Sequence, residues 1–192
     1  MDTLVETIEY KNHDIKIHLD MDPINPRTDW DHNNQMICWH GRYNLGDSHN
    51  FADPDEFREY AGPDGIILPL YLYDHSGITI STSPFSCQWD SGQVGYIFMD
   101  CETLNADYNG DRDHAIRVMA ADVQVYDDYL TGSVYGYIVE GPASDSCWGY
   151  YGYNHRQSGL LNTAESAIDC FADRPYLDPV QAVVHGLTDI PA

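Results

Sequence analysis

The chain has 192 residues, and 43% of them are hydrophobic, enough to bury a core and to exclude wholesale disorder. Against 31 acids stand 9 bases, for a formal net charge of -22; such a surface repels nucleic acid and anionic lipid and excludes a phosphate-tracking groove. The longest apolar runs (66–68, 70–73 and 96–99) fall far short of the roughly 20 residues that cross a bilayer, so no membrane partner is expected.

Met1 to Glu6 shows neither the basic segment nor the apolar core of a signal peptide, which predicts a cytoplasmic protein. Asp14 to Leu19 alternates apolar and polar side chains and predicts a half-buried strand. Asp20 to Asp31, with Pro23 and Asn25-Pro26, reads as an acidic loop. Gln35 to His40 predicts a short strand. Asp53-Pro54-Asp55-Glu56 has the cap, the first-turn proline and the early acids of a helix start, and Gly62-Pro63 ends that helix.

Residues 66–73 and 77–82 predict paired strands around Asp74-His75-Ser76-Gly77, and 94–99 a third. From about Asp113 to Leu130, Ile116, Met119, Val123, Tyr126 and Leu130 recur at helical spacing, with Asp111 or Asp113 as cap and Gly132 as stop. Residues 133–140 and 146–151 predict a hairpin across Gly141-Pro142, and short helices are expected at about 163–172 and 179–185. The expectation is a single α+β domain over 1–192: an antiparallel or mixed β-sheet packed against one long helix, with short peripheral helices.

The acids are 24 Asp and 7 Glu, which favours loops, caps and strand ends over solvated helix faces. They recur from Asp2 to Asp189 instead of forming a tail, so a folded surface carries the field. A compact chain of this length is about 40 Å across. Duplex DNA carries about 24 charges over the same length, comparable with this chain's total. The loop and helix acids Asp20, Asp22, Asp29, Asp31, Asp53, Asp55, Glu56, Glu59, Asp107, Asp111, Asp113, Asp122, Asp127 and Asp128 are therefore the expected partner-binding residues, and the expected partner is a basic nucleic-acid-binding protein.

Catalytic patterns are thin. Asp90-Ser91-Gly92 matches the aspartic-protease triplet in one copy where the chemistry needs two carboxylates, and a turn before a strand accounts for it. Cys38, His40, His49 and His75 invite a zinc reading without a paired C-x-x-C or H-E-x-x-H. The run 107–113 resembles a calcium loop, but its glycine comes early and Val118 stands where a bidentate Glu is needed. No cofactor is expected. The five cysteines are widely spaced and predict free thiols. Tyr135, Tyr137, Tyr150, Tyr151 and Tyr153 suit cross-strand packing or an aromatic interface rimmed by charge.

Several segments resemble an uncharacterised family carried by bacteriophages and mobile elements. They are Asn25-Pro26-Arg27 with Trp30-Asp31, Cys38-Trp39-His40 through Arg42-Tyr43-Asn44-Leu45-Gly46-Asp47, the run 68–77, Trp89 through Gly95, the run 129–136, and Asp145 through Gly149. The resemblance spans 25–149 and implies a non-virion phage protein acting inside a bacterial host; it carries no activity and no catalytic residue. Together with the charge it leads to an inhibitor of a host nucleic-acid-directed defence system, an acidic DNA mimic. The rival expectation is a metal- or nucleotide-dependent enzyme whose pocket gathers His40, Arg42, Asp47, Asp74, His75 and Asp90. A third is an acid-rich surface adapted to a salty cytoplasm.

Overall fold

A computed structural model of the protein describes residues 3–172. The architecture is α+β, with eight strands in two antiparallel four-stranded sheets in place of the single sheet expected. The first sheet has the order β1-β2-β7-β8, built from β1 (Leu4–Tyr10), β2 (His13–Leu19), β7 (Val134–Val139) and β8 (Asp145–Tyr151). The second has the order β3-β6-β4-β5, from β3 (Gln35–Cys38), β6 (Ser91–Met99), β4 (Ile66–Asp74) and β5 (Ile78–Ser81).

The long helix α4 (Arg112–Leu130) covers one face of the second sheet. Ala115, Met119, Val123 and Tyr126 are its buried stripe, while Ile116 and Leu130 lie at the margin. The helix starts where the Asp111 side chain accepts from the His114 amide at 2.9 Å, satisfying an otherwise orphaned donor. The opposite face of this sheet takes α2 (Pro54–Ala61), whose Phe57 is fully buried among Ile37, Tyr96 and Phe98. Asp53 caps α2 through the Asp55 and Glu56 amides, and Gly62, at φ 62°, ends it. The first sheet packs Ile15, Ile17, Tyr137 and Val139 against α5 (Leu160–Ala172), which begins three residues before the expected helix at 163. The helix expected at 179–185 lies outside the described residues.

Three elements were not foreseen. β1 joins β2 through Lys11 and Asn12, both at positive φ (48° and 63°), a tight hairpin turn whose Lys hides the signal. α3 (Cys101–Tyr108) is capped by Asp100 and buries only Leu104 and Tyr108, too sparse a stripe to announce itself. The expected loop 20–31 also contains the four-residue helix α1 (Pro26–Asp29). No helix among the described residues is long and apolar enough to cross a membrane.

Candidate functional site

The turn carrying α1 sets the orientation of the first acidic group. Asn25 caps α1, and Arg27 turns inward to Asp47, with Nε to Oδ1 at 2.8 Å and Nη2 to Oδ2 at 2.5 Å. The Arg27 guanidinium also donates to the Asn34 side chain (3.2 Å) and carbonyl (3.1 Å). With that side chain buried, the flanking Asp29, Trp30 and Asp31 point to solvent. Asp20 and Asp29 both approach Tyr151; burial and then the Asp20 carboxylate raise the pKa of its phenol.

Asp31 is the hinge of the surface. It lines a 580 Å³ cleft together with Asp47, His49 and Glu56, and a shallower 410 Å³ cleft with His32, Tyr108 and Asp122. Acids that are remote in sequence thereby share one rim. Among the residues lining these two clefts, the one Arg or Lys is Arg27, already matched by Asp47. Asp122 accepts from Asn34 at 2.5 Å and lies 3.9 Å from His32 Nδ1. Its position is fixed by that contact and it remains part-exposed.

The remaining expected acids divide by environment. Asp22, Asp53, Asp55, Glu56, Glu59, Asp107, Asp111 and Asp113 are exposed, although Asp53 and Asp111 spend an oxygen on helix caps and Asp55 pairs with Arg58 at 2.9 Å. Asp127 works inside the fold: its Oδ1 accepts from Thr79 Oγ1 at 2.6 Å and from the Ile80 amide at 2.7 Å, tying α4 to β5. Asp128 is buried, at 8% exposure, because the polar face of α4 that the sequence suggests is solvated is covered at that point by the segment after β8. It cannot belong to an open negative face.

Five of the six residues of the enzyme alternative come together at one end of the second sheet. His40 stacks on Tyr43 (5.0 Å between ring centroids), and its Nδ1 accepts from the Tyr43 amide at 3.1 Å. Tyr43 donates to Asp74 at 3.2 Å, and Arg42 stands 3.6 Å from the same carboxylate. His75 Nδ1 lies 3.2 Å from Asp90, to which Cys87 Sγ also points at 3.6 Å. His40, Asp74 and Asp90 line one 420 Å³ cleft. Asp74 and His75, adjacent in sequence, thus serve different pairs. Asp47, the sixth, faces Arg27 instead.

The zinc candidates do not converge: Cys38 is buried in the α4-side core, and His49 bonds the Cys38 carbonyl at 2.9 Å through Nε2. Among the described residues no three His, Cys, Asp or Glu side chains are grouped to hold a metal ion. All five cysteines are free thiols.

Sequence reasoning missed a cleft of about 760 Å³ between α4, Trp30 and the segment after β8. Its aromatic rim could be suspected from Tyr151 and Tyr153, but nothing in the sequence places Trp30 beside them. The two rings of Trp30 and Tyr151 meet edge to face at 5.1 Å. Comparison of this chain with protein-family models, with curated proteins and with solved structures finds no match. The functional reading therefore stands on the geometry above.

Proposed function

We propose that the protein is a phage-encoded inhibitor of a host nucleic-acid-directed defence system, such as a CRISPR complex or a restriction enzyme, acting in the host cytoplasm. Its carboxylates stand in for DNA phosphates and occupy a basic DNA-binding surface. The observation that carries this reading is the shared rim of Asp31, Glu56 and Asp122, with exposed Asp29 two residues before Asp31; the clefts are lined by no Arg or Lys except the internally paired Arg27. Uncompensated charge of this kind steers a cationic partner over long range, and salt screens it. The exposed Trp30 supplies apolar contact area inside that rim.

The test has two stages. Affinity purification of the tagged protein from a host with active defence systems identifies the partner, and binding to that partner is then titrated against salt and against duplex DNA. The reading expects competition by DNA and an affinity that falls steeply with salt. It also expects a marked loss in the combined Asp29→Asn, Asp31→Asn, Glu56→Gln variant. Affinity flat from low to high salt, without DNA competition, would sink it.

The gathering of His40, Arg42, Asp74, His75 and Asp90 favours one second reading, a metal- or nucleotide-dependent enzyme. Each carboxylate there already faces a basic group, which counts against an open metal site. Stoichiometric metal in purified protein, lost with His40→Ala and His75→Ala, would decide for the enzyme.

A further inference from the structure

The cleft between α4 and the segment after β8 contains an unfinished polar site. Asp128, on α4, is 8% exposed. Its Oδ1 accepts one long bond, from Gln124 Nε2 at 3.3 Å. Its Oδ2 lies against Gly152, where an added Cβ would come within 3.2 Å of it, and accepts no hydrogen bond among the described residues. That oxygen opens to the cleft, where it can accept from a donor that enters.

Ser158 Oγ, in the same lining, is buried and likewise has no partner. A largely buried carboxylate and an unpaired hydroxyl, which can accept as well as donate, thus lie in one lining on two different segments. Above them stand aromatic rings: Trp30 is 44% exposed, Tyr153 is 80% exposed, and Tyr151 is tied down by its bond to the Ile24 carbonyl at 2.5 Å. Acceptors at the base and ring faces at the mouth define the chemistry of an organic cation.

We infer that this cleft takes an arginine side chain presented by a protein partner. A guanidinium is planar, stacks on aromatic faces and donates through several N–H groups in a fixed fork, so it can pair with the Asp128 carboxylate while lying against a ring. An ammonium group is a compact point charge that stacks poorly. The cleft, at about 760 Å³, far exceeds one guanidinium, which suits a cation carried on a polypeptide. Burial raises the Asp128 pKa against the opposing Gln124 bond, consistent with a carboxylate lacking its counter-ion.

The assignment rests on the inhibitor reading only in taking the partner to be basic, and it is measured without that partner. Full-length protein is titrated with the tripeptide acetyl-Gly-Arg-Gly-amide, with its citrulline counterpart and with spermidine, following the Trp30 indole and Gly152 amide signals by NMR. The arginine peptide should shift both signals saturably, and the neutral citrulline peptide should shift neither.

Asp128→Asn, which keeps the shape of the side chain, should weaken arginine binding at least about tenfold, the scale of one lost charge-assisted hydrogen bond. Trp30→Ala, at an exposed position, should weaken it as well while leaving the melting temperature unchanged. Three results would overturn the assignment: no saturable shift at these signals, equal affinity in Asp128→Asn, or spermidine binding where the peptide does not. Failure here with salt-dependent partner binding intact would remove the cleft assignment and leave the inhibitor reading standing.

Discussion

Arg27 and Asp47, twenty residues apart, form a two-pronged ion pair that closes the β2–β3 connection onto the loop after β3. The Arg27 side chain is 1% exposed and that of Asp47 22%. Asp47 Oδ2 also accepts from the Met36 amide at 2.8 Å, so the pair anchors the start of β3. Removing one member of such a pair leaves a buried charge without its partner, which costs far more than the pair itself contributes. Arg27→Ala is therefore expected to destabilise by about 3–5 kcal/mol, seen as an earlier midpoint in urea unfolding. The exposed pair Arg58–Asp55 provides the control, and Asp55→Ala, which leaves the contact of Arg58 with Tyr96 in place, should cost about 1 kcal/mol or less.

The neighbouring acids Asp127 and Asp128 should behave oppositely. Asp127→Ala strands the Ile80 amide and Thr79 hydroxyl beneath α4, and a loss of about 1–3 kcal/mol is expected. For Asp128 the folded-state pKa is raised, chiefly by burial, so the folded chain holds its proton more tightly than the unfolded chain. That preference favours folding at acid pH and is lost as pH rises through the raised folded value. Asp128→Asn should accordingly stabilise the protein at neutral pH, with the gain disappearing under acid conditions. Paired thermal melts across pH measure this directly.

Gly95 faces Cys38 across the β3–β6 pair, and a Cβ there would stand 2.0 Å from the Ile37 carbonyl oxygen. The obstacle is backbone, which cannot rotate away. Gly95→Ala should cost about 3 kcal/mol, the upper end of overpacking penalties, while Gly92→Ala on the same strand meets nothing within 4 Å and should be tolerated. Denaturant titration of the two variants compares them.

Thiol labelling should separate the cysteines. Burial pushes the Cys38 thiol up to about 12, whereas Cys101, Cys147 and Cys170 are exposed. Reaction requires thiolate and access. Native protein treated with iodoacetamide near pH 8 should carry the label at the three exposed sites, and Cys38 should react only after unfolding, as read by peptide mass spectrometry.

What the sequence made legible was whatever is written in local periodicity and punctuation. The 3.6-residue stripe through Met119, Val123 and Tyr126 gave α4, the alternation around Ile15 and Ile17 gave β2, and the Asp53-Pro54 start with the Gly62 stop gave α2. β1 escaped because this edge strand, LVETIEY, is part-buried only at Ile8 and Tyr10 and exposed elsewhere, so its alternation is weak. The acids were visible one by one, but their environments were not: Asp31, Asp127 and Asp128 look alike in the chain, yet they are a cleft rim, a strand tie and a buried carboxylate.

By itself, then, the sequence determined the α+β class, most element positions and the excess negative charge, because composition and short-range spacing are properties of neighbours along the chain. The tertiary structure alone decided that the strands divide into two sheets, that Asp47 binds Arg27 rather than joining His40, and that Trp30 and Asp128 line one cleft. These depend on which distant segments share a core. Such pairings follow from the packing of whole faces, and no local pattern encodes them.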